Sequence, residues 1–258
     1  MNLLQALIFG IVEGITEFLP ISSTGHLMLT AQVLGLSQTE FLKTFQIVIQ
    51  FGAILSVIVL YWKTLLVNIE ALKRVILAFL PTAVLGLLFY KIIKQFLMAS
   101  NHVVIWSMFI GGICLILFEL IHSEKDDAVD DIGAIPYRTA IMIGLFQSIA
   151  MIPGVSRSAA TIVGGLILGL KRKTIVEFSF LLAVPTMLAA SALDLMKNAS
   201  QFSTEQISFL SVGFILSFVF AMLSVKFLLN FIKHHTFISF GIYRIILALS
   251  FWFFSIAM

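Results

Sequence analysis

The chain has 258 residues, of which 60% are hydrophobic and 11% are charged, and its mean hydropathy is +1.09. Soluble domains carry about a quarter charged residues, so the composition excludes that class and predicts a polytopic integral membrane protein. The net charge of +3 is small and dispersed, which excludes a nucleic-acid partner and agrees with basic loops beside an anionic leaflet. The single cysteine, Cys114, excludes a disulfide framework and a thiolate metal site.

Residues 2–35 form an apolar stretch that is interrupted by two glutamates, Glu13 and Glu17, and by Pro20. The proline breaks the helix, and the Ser-Ser-Thr-Gly run after it supplies N-cap residues for a second helix. Each half is too short to cross about 30 Å of hydrocarbon, which takes about 20 helical residues. The stretch therefore predicts a re-entrant hairpin whose irregular turn is buried in protein or lines a cavity.

The remaining chain alternates between ordinary membrane spans and one further broken stretch. Six spans are predicted from hydropathy, over residues 44–62, 75–93, 103–121, 175–193, 206–229 and 237–257. A charged loop at 123–136 separates the first three spans from the second broken stretch, 139–170, which is interrupted at 151–161. This order predicts two similar halves, about 1–122 and 137–258, within one membrane domain, 1–258.

An internal repeat follows from the alignment of the two halves. One constant shift pairs Gly10 with Gly144, Ser22 with Ser156, and the Leu-Gly-Leu of 34–36 with that of 168–170. Three spans lie between the two broken stretches, and because this number is odd the second copy is inverted. We therefore expect an all-α polytopic membrane protein with an inverted-topology repeat, each half a broken re-entrant helical hairpin plus three transmembrane helices.

Basic residues predict the orientation in the membrane. One side would hold Lys63, Lys73, Arg74, Lys125, Arg138, Lys171, Arg172, Lys173 and Lys233, and the other Lys43, Lys91, Lys94 and Lys197. The positive-inside rule makes the first side cytoplasmic, so both termini and the turn at 35–43 face outward.

Glu13 and Glu17 form a candidate metal site. They are four residues apart, so on a helix they share one face and lie close together. Two such carboxylates repel each other unless a cation lies between them, and their oxygen ligands favour Mg²⁺ or Ca²⁺. The alternative is a helix so shallow in the membrane that water reaches both side chains.

Three hydroxyl residues and a histidine follow the first break. Ser22, Ser23 and Thr24 lie at a predicted helix N-terminus, where free N–H groups and hydroxyls bind anions. The alternative is that they only cap the helix. His26 is either part of the same site or an ordinary buried histidine.

Arg157 lies after the second break, at a position similar to that of the hydroxyl residues after the first. It follows Pro-Gly-Val-Ser, where a further helix would begin. Its guanidinium can grip a phosphate with two hydrogen bonds, helped by Ser156, Ser158 and Thr161. The alternative is a charge that snorkels to the membrane surface.

Two sequence motifs resemble those of a known protein family. The stretches E-G-I-T-E-F-L-P-I-S-S-T-G-H at 13–26 and P-G-V-S-R-S-A-A-T at 153–161 resemble the signatures of the undecaprenyl-diphosphate phosphatase family, the bacitracin-resistance type of lipid phosphatase. The likeness covers nearly the whole chain, including E-F-S-F-L-L-A-V-P at 177–185. Ala159 stands where many relatives carry Gly.

The resemblance implies an enzyme that removes the terminal phosphate of undecaprenyl diphosphate, recycling the lipid carrier for peptidoglycan synthesis and conferring bacitracin resistance. It implies a place in the bacterial cytoplasmic membrane with the active site open to the outer side. A divalent cation, Mg²⁺ or Ca²⁺, and a homodimer are implied as well.

The resemblance matches Glu13 and Glu17 to the family's acidic pair, Ser23 and His26 to its serine and histidine, and Arg157 to its arginine. From these matches and the chemistry of the residues we expect Glu17, Ser23, His26 and Arg157 to be catalytic and Glu13 and Glu17 to hold the metal. The hydroxyl residues beside them are expected to bind the substrate's phosphates: Ser22, Thr24, Ser156, Ser158 and Thr161. Three nucleophiles stay open: Ser23, with His26 or Glu17 taking its proton; His26 itself; or a metal-activated water.

Two rival classes share some of these features. Inverted repeats with broken helices are typical of transporters, so a flippase that moves the lipid carrier is the first rival, alone or as a second role. Pure transport needs no serine and histidine beside a metal site. The second rival, an intramembrane serine protease, needs an oxyanion hole and has no use for paired glutamates and an arginine.

Overall fold

The computed structural model describes residues 1–92, 100–198 and 204–257, and this part of the chain contains α-helices and no β-sheet. The helices are α1 (Leu3–Thr16), α2 (Ser23–Val33), α3 (Glu40–Leu60), α4 (Trp62–Leu66), α5 (Ile69–Ile92), α6 (Asn101–Ile121), α7 (Tyr137–Ser148), α8 (Arg157–Ile167), α9 (Arg172–Asn198), α10 (Thr204–Phe231) and α11 (Ile238–Ala257).

Five helices in the described part of the chain are long and apolar enough to cross a membrane, which confirms a multi-pass, all-α membrane protein. They are α3, α5, α6, α9 and α10, at five of the six predicted spans. The sixth predicted span, 237–257, coincides with α11, a helix of 20 residues.

The first two long helices begin earlier than predicted. α3 begins at Glu40 and α5 at Ile69, whereas hydropathy placed their starts at 44 and 75. Hydropathy windows stop at charged residues, but Glu40 and Glu70 lie in first turns, where an acidic side chain stabilises the helix. The short helix α4 was not predicted.

Both predicted breaks are present, and each separates two short helices that pack against each other. α1 ends at Thr16 rather than at Pro20, because a proline ring clashes with the carbonyl group four residues before it. At 1.5 Å per residue, α1 is about 21 Å long and α8 about 16 Å, less than the thickness of the hydrocarbon core. Their re-entrant course in the bilayer stays a prediction.

The local backbone of the two broken stretches is alike. Ser22 and Ser156, which the repeat alignment pairs, both precede a helix with positive φ angles of 71° and 75°. Gly35 and Gly169, which the same alignment pairs, also have positive φ angles, of 63° and 83°. These similarities agree with a repeat, whereas the inverted orientation of its second copy stays a prediction.

The two halves of the chain are interleaved around α10. A Cβ atom added to Gly10 of α1 would lie 2.6 Å from the carbonyl oxygen of Gly213, so glycine allows α1 and α10 to approach closely. Ser217 of α10 donates a hydrogen bond of 2.6 Å to the carbonyl of Ile49 in α3. The first half therefore packs directly on the second.

Charged side chains join the helix ends at the side predicted to be cytoplasmic. Arg172 at the start of α9 pairs with the buried Glu119 of α6, whose carboxylate also accepts the N–H of Phe237. Arg74 of α5 donates to the carbonyl of Ile135 at 2.9 Å, at the buried end of the charged loop predicted at 123–136. The side chains of Lys91, Lys94 and Lys197, predicted for the opposite side, lie outside the described residues.

Candidate functional site

The turn at residues 17–22 keeps the two glutamates together. Glu17 caps α1 with a helical backbone, and its N–H donates to the carbonyl of Glu13 at 3.0 Å, so both residues belong to the same helical turn. Both are buried. The sequence spacing thus predicted their neighbourhood, although the helix ends between them.

Ser23, Glu17 and Arg157 form the centre of the site. The Ser23 hydroxyl donates to Glu17 Oε2 at 2.6 Å, and Arg157 Nη2 lies 3.5 Å from Glu17 Oε1. Arg157 Nη1 is held by the carbonyl of Ser179 in α9 at 2.8 Å. One carboxylate therefore joins a hydroxyl from the first motif to a guanidinium from the second, 140 residues away along the chain.

Glu13 lies deepest in this group. It is fully buried, and neither of its carboxylate oxygens has a hydrogen-bond partner. Its charged neighbours are Glu17 and Arg157. A buried carboxylate with two unsatisfied oxygens beside a second carboxylate is unfavourable by itself and becomes favourable when a cation binds.

The hydroxyls of the second motif are engaged within the protein. Ser156 Oγ accepts the N–H of Ala159 at 3.2 Å and caps α8. Ser158 Oγ donates to the carbonyl of Phe18 at 2.9 Å, which ties α8 to the first turn. Thr161 is fully buried, and its hydroxyl meets that of Ser179 at 2.6 Å.

The first motif contains a similar cap. Ser22 Oγ accepts the N–H of Gly25, so Ser22 caps α2, while Thr24 in the first turn of α2 is exposed. The N–H groups of Ser23 and Thr24, the first two residues of α2, have no intrahelical acceptor and remain available to an anion. Backbone amides at this helix start, more than the capping hydroxyls, are thus placed to bind a phosphate.

His26 lies next to the centre but is not bonded to Ser23. Its Nδ1 is 2.8 Å from the carbonyl oxygen of Ser22, and its Nε2 is 2.8 Å from the hydroxyl of Tyr243 in α11. The two rings are stacked with an angle of 9° between their planes. Both ring nitrogens therefore have partners other than Ser23, and the group in contact with the Ser23 hydroxyl is the carboxylate of Glu17.

Arg244 of α11 was missed by the motif reasoning. It is fully buried and donates to five carbonyl groups: those of Pro20, Ser107, Met108, Gly154 and Val155. It thus joins the first turn to the second and both to α6. The signal in the sequence was a lone arginine within an apolar helix of membrane length, since such charges are costly there and mark function.

The arrangement has the parts needed for phosphoryl transfer. A hydroxyl hydrogen-bonded to a carboxylate can act as a nucleophile once the carboxylate takes its proton. A guanidinium and helix N-terminal amides stabilise the negative charge of a transferred phosphoryl group. Buried carboxylate oxygens provide hard ligands for a divalent cation.

Comparison with known proteins gives consistent matches. The family described as bacitracin resistance protein BacA matches residues 6–250. The undecaprenyl-diphosphatase of Aquifex aeolicus is 52% identical over 245 residues, which are 95% of either chain. That of Sulfurihydrogenibium sp. is 52% identical over 249 residues, 96% of this chain and 98% of the relative, and that of Wolinella succinogenes is 48% identical over 254 residues, 98% of both.

Proposed function

Because the chain belongs to the family of the bacitracin resistance protein BacA, we propose that it dephosphorylates undecaprenyl diphosphate to undecaprenyl phosphate. The similarity to enzymes named undecaprenyl-diphosphatase extends along nearly the whole chain. The observation that carries the proposal is the contact of Glu17 with both Ser23 and Arg157, since it brings a hydroxyl, a carboxylate and a guanidinium together from two distant motifs.

Ser23 is the nucleophile that this geometry favours. Its Oγ attacks the terminal phosphorus, its proton passes to Glu17 Oε2, and undecaprenyl phosphate leaves with the bridging oxygen. Water then attacks the phosphorus of the phosphoserine and the P–Oγ bond breaks. Glu17 returns its proton to Ser23 Oγ, and the protons of the water leave with the inorganic phosphate. The contacts of both ring nitrogens argue against His26 as the nucleophile or the base and favour a role in positioning the Ser22 backbone.

Arg157 and the helix amides would stabilise the charge that develops on the transferred group. Arg157 of the second motif lies 3.5 Å from the Glu17 carboxylate, which also accepts the Ser23 hydroxyl, so a phosphoryl group at Ser23 would lie close to the guanidinium. Preorganised donors of this kind contribute about a hundredfold to a thousandfold each to catalysis.

A divalent cation, Mg²⁺ or Ca²⁺, would be held by Glu13 and Glu17. The unsatisfied, buried oxygens of Glu13 fit this use. Among the described residues no group of three or more metal-binding side chains occurs, so oxygens of the substrate and water would complete the coordination. When bound, the cation would neutralise charge on the diphosphate.

The setting of the enzyme is part of the same proposal. Its place is the bacterial cytoplasmic membrane, with the active site open to the outer side, in line with the distribution of basic residues. The product would return to peptidoglycan synthesis, and this recycling would confer the resistance to bacitracin that gives the family its name. The active form is proposed to be a homodimer.

The test is phosphate release from undecaprenyl diphosphate by purified protein in Mg²⁺, in Ca²⁺ and in EDTA. We expect metal-dependent release that is lost in Glu17→Gln and Arg157→Ala and retained in the exposed control Glu40→Gln. Release that persists in EDTA would remove the cation from the mechanism. Folded protein that binds the lipid without releasing phosphate would instead be a carrier, and the catalytic roles would be wrong.

A further inference from the structure

The contact between Tyr243 of α11 and His26 of α2 joins the last helix of the chain to the turn that carries Ser23. The phenol oxygen lies 2.8 Å from His26 Nε2, and the two residues are 217 positions apart in the sequence. His26 is buried, whereas Tyr243 is 43% exposed, so the tyrosine is not needed to fill the protein interior. Its contact with the buried ring therefore points to a role in the site.

The carbonyl group of Ser22 sets the direction of the hydrogen bonds on the imidazole. A carbonyl oxygen only accepts, so His26 Nδ1, which lies 2.8 Å from it, carries the hydrogen. The other nitrogen of a neutral imidazole is then an acceptor, and the hydroxyl of Tyr243 is the donor that meets it. A directed chain results, in which the phenol donates to Nε2 and Nδ1–H donates to the Ser22 carbonyl.

The Ser22 carbonyl in turn determines the position of Ser23. The two residues share one peptide group, and because that group is planar, a fixed carbonyl also fixes the N–H of Ser23. Ser22 has a φ angle of 71°, a strained conformation that depends on support from its surroundings. The backbone N–H of His26 lies 3.4 Å from the carbonyl, and that of Gly25 lies 3.5 Å from Ser22 Oγ. The imidazole therefore supplies the shortest hydrogen bond that Ser22 accepts in the described part of the chain.

We propose that Tyr243 is a positioning residue for Ser23: its hydroxyl holds the His26 ring as the Nδ1–H tautomer, and that ring holds the peptide group before Ser23. The inference rests on the proposed function, in which Ser23 attacks phosphorus, and adds a residue of α11 to the site. Without the phenol the ring is free to turn or to exchange its proton, and an unprotonated nitrogen would repel the Ser22 carbonyl. With it, the Ser23 hydroxyl stays 2.6 Å from Glu17 Oε2.

The first experiment removes one oxygen atom. We expect Tyr243→Phe to lower kcat for phosphate release from undecaprenyl diphosphate about threefold to tenfold, the effect of losing one neutral hydrogen bond, and to leave KM within about twofold. The matched control is Tyr137→Phe, because Tyr137 is 45% exposed and its hydroxyl donates to Glu70 at 3.1 Å, outside the site. Equal kcat values for the two variants, or a change confined to KM, would overturn the proposal.

The second experiment replaces the imidazole. In His26→Asn the side-chain amide keeps a donor for the Ser22 carbonyl, whereas His26→Leu keeps none. We expect kcat of His26→Asn to exceed that of His26→Leu about tenfold. Addition of Tyr243→Phe to His26→Asn should cause no further loss, since the tyrosine acts only through the ring. Equal kcat values for the two His26 variants, or losses that multiply in the double variant, would contradict a positioning chain.

The third experiment requires no turnover. The chain has five histidines, and in protein with ¹⁵N-labelled imidazoles the NMR signals of His26 are assigned by their loss in His26→Asn. We expect a protonated Nδ1 and an unprotonated Nε2, whose signal shifts in Tyr243→Phe and not in Tyr137→Phe. A proton on Nε2, or a signal that Tyr243→Phe does not move, would show that the tyrosine does not set the tautomer.

These results separate the inference from the proposed function. If wild-type protein releases no phosphate from undecaprenyl diphosphate but the Nε2 signal responds to Tyr243→Phe, the hydrogen-bond chain stands and the phosphatase is wrong. If phosphate is released but Tyr243→Phe behaves as Tyr137→Phe in both kcat and NMR signal, the phosphatase stands and the role of Tyr243 is wrong.

Discussion

The Ser23 hydroxyl has a single hydrogen bond at the centre of the site, to Glu17 Oε2 at 2.6 Å, and Ser23 is only partly buried. A substrate can therefore reach its oxygen while the carboxylate holds its proton. We expect Ser23→Ala to lower kcat for phosphate release about a thousandfold or more, because loss of a nucleophile removes the covalent route. Steady-state release from undecaprenyl diphosphate measures this.

The control for that variant is the neighbouring hydroxyl. Thr24 is exposed on the same helix start, so Thr24→Ala tests the loss of a hydroxyl without the contact to Glu17. Turnover of Ser23→Ala close to that of Thr24→Ala would exclude the phosphoserine route and leave an activated water as the nucleophile.

Arg157 provides a second test, which depends on geometry more than on charge. Its two terminal nitrogens hold different groups, the Ser179 carbonyl and Glu17, and a lysine cannot reach both. We expect Arg157→Lys to lower kcat/KM about a hundredfold to a thousandfold, the effect of losing one preorganised donor. The exposed Arg138→Lys is the matched control. If kcat/KM of Arg157→Lys lies within a few-fold of the wild-type value, the positive charge of Arg157 is sufficient and its guanidinium geometry is not required.

The motifs predicted which residues surround this centre but not how each is used. Glu13, Glu17, Ser23 and Arg157 converge, and their sequence spacing or motif context pointed to each of them. Two further contacts come from distant segments: Phe18 accepts from Ser158 in α8, and Tyr243 of α11 contacts His26. Such pairings depend on how the helices pack, and the spacing of residues within one motif does not predict that packing.

The two turns between short helices are held together by Arg244. Irregular backbone at membrane depth needs partners for its carbonyl groups, and this guanidinium supplies donors to Pro20, Gly154 and Val155 at once. The breaks themselves were predictable from Pro20 and from the Pro-Gly of the second motif. The arginine that joins them lies about 90 residues beyond the second turn, as α8, α9 and α10 intervene, and could be recognised only as an unpaired charge in an apolar helix.

Arg244→Lys is expected to loosen both turns without removing the charge. A lysine offers three donors from one nitrogen in place of the planar group that reaches five carbonyls, and each buried group left unsatisfied costs about 1–3 kcal/mol. The unfolding temperature in detergent should fall by several degrees, and kcat should fall with it. Arg138→Lys is again the control, and an unchanged unfolding temperature would contradict this role for Arg244.

The halves of the molecule depend on each other for packing. α1 and α3 from the first half lie on α10 of the second, and α9 lies between α3 and α5. Both halves also contribute to the site: Glu17 and Ser23 come from the first half, and Arg157 and Ser179 come from the second. Neither half can bury its interface or complete the site alone, whereas the covalent link between them, the loop at 123–136, is mostly exposed.

Because both halves pack on each other, we expect the loop at 123–136 to tolerate cleavage. A protease site inserted between Asp126 and Asp127 falls in an exposed part of the loop, before Val129, which pairs with Gly169 and Lys171. After cleavage we expect both fragments to copurify in mild detergent and to keep phosphate release within about twofold of the uncut insertion variant, since packing of the interleaved helices does not depend on this peptide bond. Separation of the fragments without denaturant would mean that the loop, rather than the helix packing, holds the halves together.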